Sequence, residues 1–537
     1  MLWIAVHLPL LSLESFASTL PPEQQSLPMA LLAEHRVAAL NAAGRQAGIK
    51  PGHKRATALA LAPTLVIGEV DAQRDAAELQ ALAHAALAFT PSVTLQPEEH
   101  VLLLEVQSCL RYWGGLQRLM QRLQQALQPL GHALQIATGP TALGAALLAR
   151  WRPGLEFGRH TTQLPALAEH LEAVPVWLLG PAREHWEASR SLAPGRPKPG
   201  TGPLGGLSRS DWGPLFEGMG LHNLGDLRSL PRAGLARRFG PQMLLDLDRA
   251  YGREPDPCDW ITLPSVFDSR LELFARADTT EQVLHGAAVL LKRLVAWAAG
   301  QHARVGAFTL RMHHEPRHRE GRPVTEASVL EIALAEPSAD AEHLQLLLRE
   351  RLAHAVLAAP TLELSLQCRH AVKGPPPNAE LFPTPRSERE GLTRLVERLQ
   401  ARLGRERVQQ MRACSDHRPE CSSVLEAAGP VLRMSLPSRS EETPAALALS
   451  RPAWLLPEPE PLPERQFKPL LDGQPLQLLA GPERIETGWW DGAPAQRDYF
   501  VARAADGALV WVYRDRLPHS LDDEAPGSGW YLHGRFA

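Results

Sequence analysis

Two groups of arginines stand close together in a near-neutral chain: Arg228, Arg232, Arg237 and Arg238, then Arg311, Arg317, Arg319 and Arg322, the second interleaved with His313, His314 and His318. Clustered guanidinium groups neutralise phosphates, so such patches suit a nucleic-acid backbone, although an arginine run also serves as a plain solvated face. The formal net charge is −3, so any affinity for nucleic acid has to come from local patches. The first group lies in GMGLHNLGDLRSLPRAGLARRFG (218–240). There a turn containing Gly220 and Gly225 feeds a helix capped near Asn223, and a proline resets the chain before a second, arginine-bearing helix. Helix-hairpin-helix elements use such turns to aim backbone N–H groups at a phosphate, and an ordinary helical hairpin has the same pattern.

Other chemistries find less support. Cys414 and Cys421 bracket His417 in CSDHRPEC, but this spacing is not that of a zinc knuckle and no second ligand pair follows nearby. The remaining cysteines, Cys109, Cys258 and Cys368, are scattered, which argues against a disulfide framework and for a reducing, cytoplasmic compartment. No Walker-type Gly-x4-Gly-Lys-Ser/Thr, no nucleophile elbow and no His-Glu-x-x-His is present. No apolar run approaches the roughly 18 residues that span a membrane, so none is expected to.

The elements that position these residues fall into blocks along 537 residues, a length that suggests several domains. MLWIAVHLPLLSLESF (1–16) is not a secretion signal, because the first basic residue is Arg36 and His7 and Pro9 break the apolar core. Leu2–Val6 suits a strand buried on both faces. TLVIGEV (64–70), DAAELQALAHAALAF (75–89), VLLLEV (101–106) and LQRLMQRLQQAL (116–127) alternate strands with helices. From about 150 to 260 the pattern is mainly helical, interrupted by LAPGRPKPGTGPLGG (192–206); residues 265–373 return to strands with two helices, as a sheet backed on one face. RPAWLLPEPEPLPERQFKP (451–469) reads as an extended linker before a small β-rich module at 481–537, with a hairpin at Asp506-Gly507.

The order of these features, with NAAGRQAGIKPGHKRATALALAPTLVI (41–67), FTPSVTLQPEEHVLLLEVQSCL (89–110) and IATGPTALGAALLARWRPG (136–154), resembles the Y-family translesion DNA polymerases over roughly residues 1–373. Gly48-Ile49, Lys50-Pro51-Gly52, Ala58 and Ala62-Pro63 match that family's fingers, and Arg45 falls where the family has an arginine on the incoming triphosphate. The fold class implied is α+β multidomain: a palm (1–160) with inserted fingers (about 30–70), a helical thumb (161–262), a little finger (263–373), a clamp-motif loop, helix and linker (374–480) and the β-rich module (481–537).

The family holds two divalent ions between carboxylates, Asp on the first strand and an Asp-Glu pair on a later one. Here the first-strand positions are His7 and Pro9, and the pair becomes His100-Val101. Glu14 is near in sequence, and Glu98, Glu99 or Glu105 come closer only if the alignment slips. Neutral imidazole is a poor ligand for Mg²⁺. No metal, cofactor or phosphoryl transfer is therefore expected. RIETGWWDG…RDYFVAR…WVYR…WYLHGRFA and SDHRPE (415–420) resemble the tail of the non-catalytic members of this family found in bacterial mutagenesis cassettes.

That resemblance implies an adaptor that docks on the sliding clamp, holds DNA through the thumb and little-finger arginines, and recruits an error-prone C-family polymerase and its accessory partner ImuA. NAELF (378–382) resembles a clamp-binding peptide, with Leu381 and Phe382 as anchors and Asn378 in place of glutamine; QPLQLL (474–479) lacks the aromatic. A divergent active polymerase and a clamp-independent DNA-structure-binding protein are the alternatives.

Overall fold

The apolar start of the chain is β1 (Trp3–His7), an inner strand of a four-stranded antiparallel sheet in the order β5 (Val93–Gln96), β6 (Val101–Glu105), β1, β7 (Gln135–Gly139). Its successive residues point to opposite faces, and both faces are covered, which explains why so few of them are polar. Trp3 and Ala5 face a core shared with α7 (Ala142–Trp151) and the helical region beyond it, whereas Ile4 and Val6 face α4 (Ala72–Ala86) and α6 (Leu116–Leu127). The computed structural model describes residues 1–155, 163–179, 216–315, 317–319, 322–324, 327–374, 385–428, 451–452, 454–516 and 529–536.

The elements of this first part run β1, α1 (Leu11–Ala17), β2 (Met29–Ala33), β3 (Arg36–Leu40), α2 (Ala42–Gln46), α3 (Arg55–Leu61), β4 (Val66–Glu69), α4 (Ala72–Ala86), β5 (Val93–Gln96), β6 (Val101–Glu105), α5 (Leu110–Trp113), α6 (Leu116–Leu127), β7 (Gln135–Gly139) and α7 (Ala142–Trp151). β3-β2-β4 form a separate small sheet with its own core around Ala30, Val37, Ile49 and Ala58. Gly48 and Gly52 take φ of +83° and +86°, the left-handed region that favours glycine, which turns the chain from α2 into α3.

Helices α8 (Leu164–Glu172), α9 (Leu224–Ser229), α10 (Arg232–Phe239) and α11 (Pro241–Ala250) follow, and residues 192–206 lie outside the described residues. Next come β8 (Phe267–Ala277), α12 (Thr280–Gly300), β9 (Ala303–His314), β10 (Arg317–Arg319), β11 (Arg322–Val324), β12 (Ala327–Ser338), α13 (Ala341–Ala353) and β13 (Thr361–Lys373). The strands order as β12-β9-β13-β8, all antiparallel, with β10 and β11 as a two-stranded excursion.

Against the expectation that no apolar run is of membrane-spanning length, α12 is long and apolar enough to cross a membrane by length and composition alone. It is nevertheless a core helix, with Val283, Ala287, Leu290, Leu294 and Trp297 buried. Arg293 in its middle donates to Glu78 of α4 at 2.9 Å, with both side chains almost fully enclosed.

The chain divides into two compact units, Met1–Thr384 and Pro385–Ala537. The second contains α14 (Pro385–Leu403), a hairpin of β14 (Gln409–Ala413) and β15 (Ser423–Ala427), then β16 (Trp454–Leu462), β17 (Glu464–Arg465), β18 (Lys468–Leu471), β19 (Gln474–Pro475), β20 (Gln477–Thr487), β21 (Ala495–Arg503), β22 (Leu509–Asp515) and β23 (Trp530–Arg535). Five of these form the sheet β16-β23-β22-β21-β20. The proline-rich stretch is therefore an edge strand of the terminal sheet and not a separating linker: Glu460, Pro461 and Leu462 pair with Leu532, Tyr531 and Trp530. An edge is where a strand tolerates prolines, because one row of its N–H groups has no ladder to serve. QPLQLL likewise lies within β19 and β20.

Candidate functional site

The two stretches compared with polymerase metal sites meet in space. Antiparallel register sets His7 of β1 directly across from Val101 of β6, and the Leu8 N–H donates to the His100 carbonyl at 3.0 Å. His7 also lies across from Gln135 of β7, and its Nδ1 donates to the Gln135 amide oxygen at 3.1 Å. Pro9 occupies the exposed turn that follows, and His100 sits at φ +52° in the turn before β6. These positions thus present an imidazole pair, an isopropyl group and a ring, none of them a hard oxygen donor of the kind a divalent ion takes.

Of the nearby acids, Glu105 and Glu14 are engaged elsewhere. Glu105 lies at the opposite end of β6, opposite Trp3, about 13 Å along the strand from Val101 at the usual rise per residue. Its carboxylate accepts from the Leu2 and Gln107 N–H groups. Glu14 accepts from the Ala133 N–H and from His132 Nδ1, both at 3.1 Å. Glu98 and Glu99 line a recess beside β5 with Asp256, Cys258 and Asp259.

The carboxylate that does approach His100 is Asp75, on α4, with Oδ2 at 3.9 Å from His100 Nε2. It is buried and accepts from both Ser12 and Ser15 of α1, the latter at 2.6 Å. Sequence reasoning missed it because Asp75 reaches this point across a helix contact and not along a strand. Arg45 of α2, the nucleotide-site candidate, donates to the Leu40 carbonyl at 3.0 Å.

The helical hairpin has the expected local chemistry. Asn223 caps α9 by accepting from the Asp226 N–H, and Asp226 accepts in return from the His222 and Asn223 N–H groups, which hold its carboxyl below the usual range. Gly220 takes φ +71° in the turn before the cap. Gly225 packs so closely on the Glu172 carbonyl and the Asn223 side chain that a Cβ there would stand 3.1 Å from each. The turn is tied inward, with the Leu224 N–H on the Val174 carbonyl at 2.9 Å.

Its arginines divide into two kinds. Arg228 pairs with Glu172 at 3.0 Å and stacks over the Tyr251 ring, and Arg232 forks onto Asp248. Arg237 and Arg238 stand exposed, with no ion-pair partner among the described residues. Arg311 is exposed on β9 between Val329 and Ser365, and Arg317 pairs with Val324 in the β10–β11 excursion. Of the neighbouring histidines, His313 bonds to Ser365, and buried His314 bonds to Ser328 and Thr361. Asn378, Leu381 and Phe382 lie outside the described residues.

In the second unit the SDHRPE segment is the loop of the β14–β15 hairpin. Its Arg418, 7% exposed, forks onto Asp416 and onto Asp491 of the WWDG turn and donates to the Ala493 carbonyl at 3.0 Å. Glu420 pairs with Arg497 at 2.9 Å and faces His533, which bonds to the buried Tyr499 hydroxyl at 2.8 Å. Two motif stretches far apart in sequence are thereby one structural feature. Cys414 and Cys421 at its margins are free thiols, and the Cys414 N–H donates to the Ser422 carbonyl.

Among solved structures, the chain is similar to a ternary complex of Dbh (15% identity, 69% of this chain and 99% of that one, TM-score 0.35), to an insertion ternary complex of Dbh DNA polymerase (15%, 70% and 100%, 0.35), and to DinB from Sulfolobus solfataricus (15%, 70% and 99%, 0.35). No family model matches. The chain is also similar to Protein ImuB of Caulobacter vibrioides, 27% identical over 505 residues that make up 91% of this chain and 100% of that protein, in strain NA1000 / CB15N and in strain ATCC 19089 / CIP 103742 / CB 15. The resemblance that the tail motifs carry is to this protein, and similarity along nine-tenths of the chain bears it out.

Proposed function

We propose that the protein is a catalytically inactive, Y-family polymerase-like adaptor. It binds the sliding clamp and recruits an error-prone C-family DNA polymerase and ImuA to damaged DNA in the cytoplasm, for translesion synthesis and damage-induced mutagenesis. The observation that carries this reading is the His7–Val101 pair. Strand register brings His7 and Val101 together; on this reading they are the positions from which a polymerase would offer carboxylates, and neither is an acid. Two-ion phosphoryl transfer needs anionic oxygens to bridge both metals, and a neutral imidazole beside an isopropyl group offers none. Similarity to Protein ImuB supports the DNA-damage setting. In this reading residues 1–160 act as palm and fingers, 161–262 as thumb, 263–373 as little finger, and the loop at 378–382 as the clamp tether.

A second reading, a divergent active polymerase, draws on the recess that Glu98 and Glu99 share with Asp256 and Asp259. Primer extension by the purified chain with Mg²⁺ or Mn²⁺ separates the two. The adaptor gives no incorporation above a no-enzyme control. Robust extension that disappears in Glu98→Gln or Glu99→Gln would establish the enzyme instead.

A further inference from the structure

Helix α14 is turned the wrong way round for a helix that only supports its own unit. Thr393 and Glu397 are buried at 3% and 7% exposure, and Gln400 donates to the Ala428 carbonyl at 2.6 Å, so the inward face is polar. The leucines point out: Leu392, Leu395, Leu399 and Leu403 are 45%, 49%, 38% and 48% exposed. At 3.6 residues per turn these four fall within an arc of roughly 80°, a continuous apolar seam. Arg398 and Arg402, spaced four apart, stand exposed along one border of that seam. Contiguous exposed leucines of this kind mark an interaction surface.

We propose that this seam docks an amphipathic helix of a partner protein whose own apolar stripe is edged by aspartate and glutamate. Arg398 and Arg402 select for that charge, as flanking residues do in paired helices. They also disfavour a second copy of this chain. Antiparallel pairing would set arginine against arginine, and parallel pairing would set arginines against the Thr393–Gln400 border, which is already covered. The seam stands apart from the clamp reading, and neither needs the other.

The test uses the full chain and two fluorescent designed helical peptides of equal length, both with a leucine seam, one edged with glutamate and one with lysine. Anisotropy titration is expected to show saturable, salt-sensitive binding of the glutamate-edged peptide, with the lysine-edged one at least about tenfold weaker. Leu395→Gln with Leu399→Gln removes binding, while Arg398→Glu with Arg402→Glu reverses the preference between the peptides. The reversal is a gain that a misfolded variant cannot mimic. Failure of wild type to bind either peptide, or affinity unchanged in the leucine variants, overturns the proposal. So does a concentration-dependent dimer, seen by sedimentation, that the leucine substitutions abolish, since it would assign the seam to a second copy.

Discussion

His132 donates from both ring nitrogens, to Glu14 at 3.1 Å and to Glu78 at 3.3 Å, while Arg293 closes on the other Glu78 oxygen. Burial alone would lower the imidazole, but the hydrogen bonds to Glu14 and Glu78 outweigh it and hold it at about 9. Burial would likewise raise Glu78, but His132 and Arg293 bring it down to about 2. His84, buried away from such partners, is pushed down to about 4. The consequences for stability differ in sign. The raised His132 contributes fully below its ordinary 6.5 and nothing once the pH has passed about 9. The depressed Glu78 contributes fully above 4.5 and loses its contribution as the pH falls to about 2. His84 removes stability as the pH falls from 6.5 toward about 4. Thermal midpoints measured across pH should therefore peak near 6.5 and fall on both sides, and His132→Gln should flatten the alkaline fall between 6.5 and about 9. An alkaline limb unchanged in that variant would show that the cluster is not what titrates.

The α9–α10 hairpin shows how an element uses its charges. Its Asn223 capping box and its inward ties spend polar groups on holding the turn, and two of its four arginines are spent on Glu172 and Asp248. If the hairpin grips a DNA backbone, Arg237 and Arg238 are the side chains left to do it. Each phosphate contact neutralised by a cation adds close to one unit to the slope of log affinity against log salt. Charge reversal with Arg237→Glu and Arg238→Glu should weaken binding of duplex or primer-template DNA across sequences and lower that slope by about two. Reversal of Arg232 should instead lower stability, because Asp248 would lose its fork. Equal DNA affinity in the Arg237 and Arg238 variants would remove the hairpin from the DNA-binding surface.

At the scale of the whole molecule, the first unit is held as one body by buried polar links as well as by its apolar cores. Arg293 of α12 reaches Glu78 of α4, Ser269 and the Arg270 carbonyl, and so ties the second large sheet to the first. Removing one partner from such a buried pair leaves an uncompensated charge and costs about 3–5 kcal/mol. The second unit is organised differently, around a sheet with apolar residues on both faces: Val510 and Val512 on one, Trp511 and Tyr513 on the other. The adaptor reading adds a tether at 378–382. Clamp pull-down with Leu381→Ala and Phe382→Ala should lose retention while the thermal midpoint and DNA affinity stay at wild-type values. Undiminished retention would remove the tether from this segment.

Much of the fold was legible because periodicity is a local property. The spans of β1, α6, α12 and β13 follow from where apolar residues recur, and the Asn223 cap follows from residue types a few positions apart. The proline-rich 451–469 stretch looks like a linker until β23, some seventy residues later, supplies the strand it pairs with. The apolar length of α12 is missed for a local reason: Lys292 and Arg293 interrupt its run, although its average composition is apolar. The sequence by itself determined that His7, Pro9, His100 and Val101 lack carboxylates, because chemical identity does not depend on folding. Tertiary structure alone decided that His7 and Val101 face each other, that Asp75 turns toward His100 from a helix, and that Arg418 joins two distant motifs. Those relations depend on strand register and helix packing, which act between residues tens of positions apart and leave no local trace in either partner.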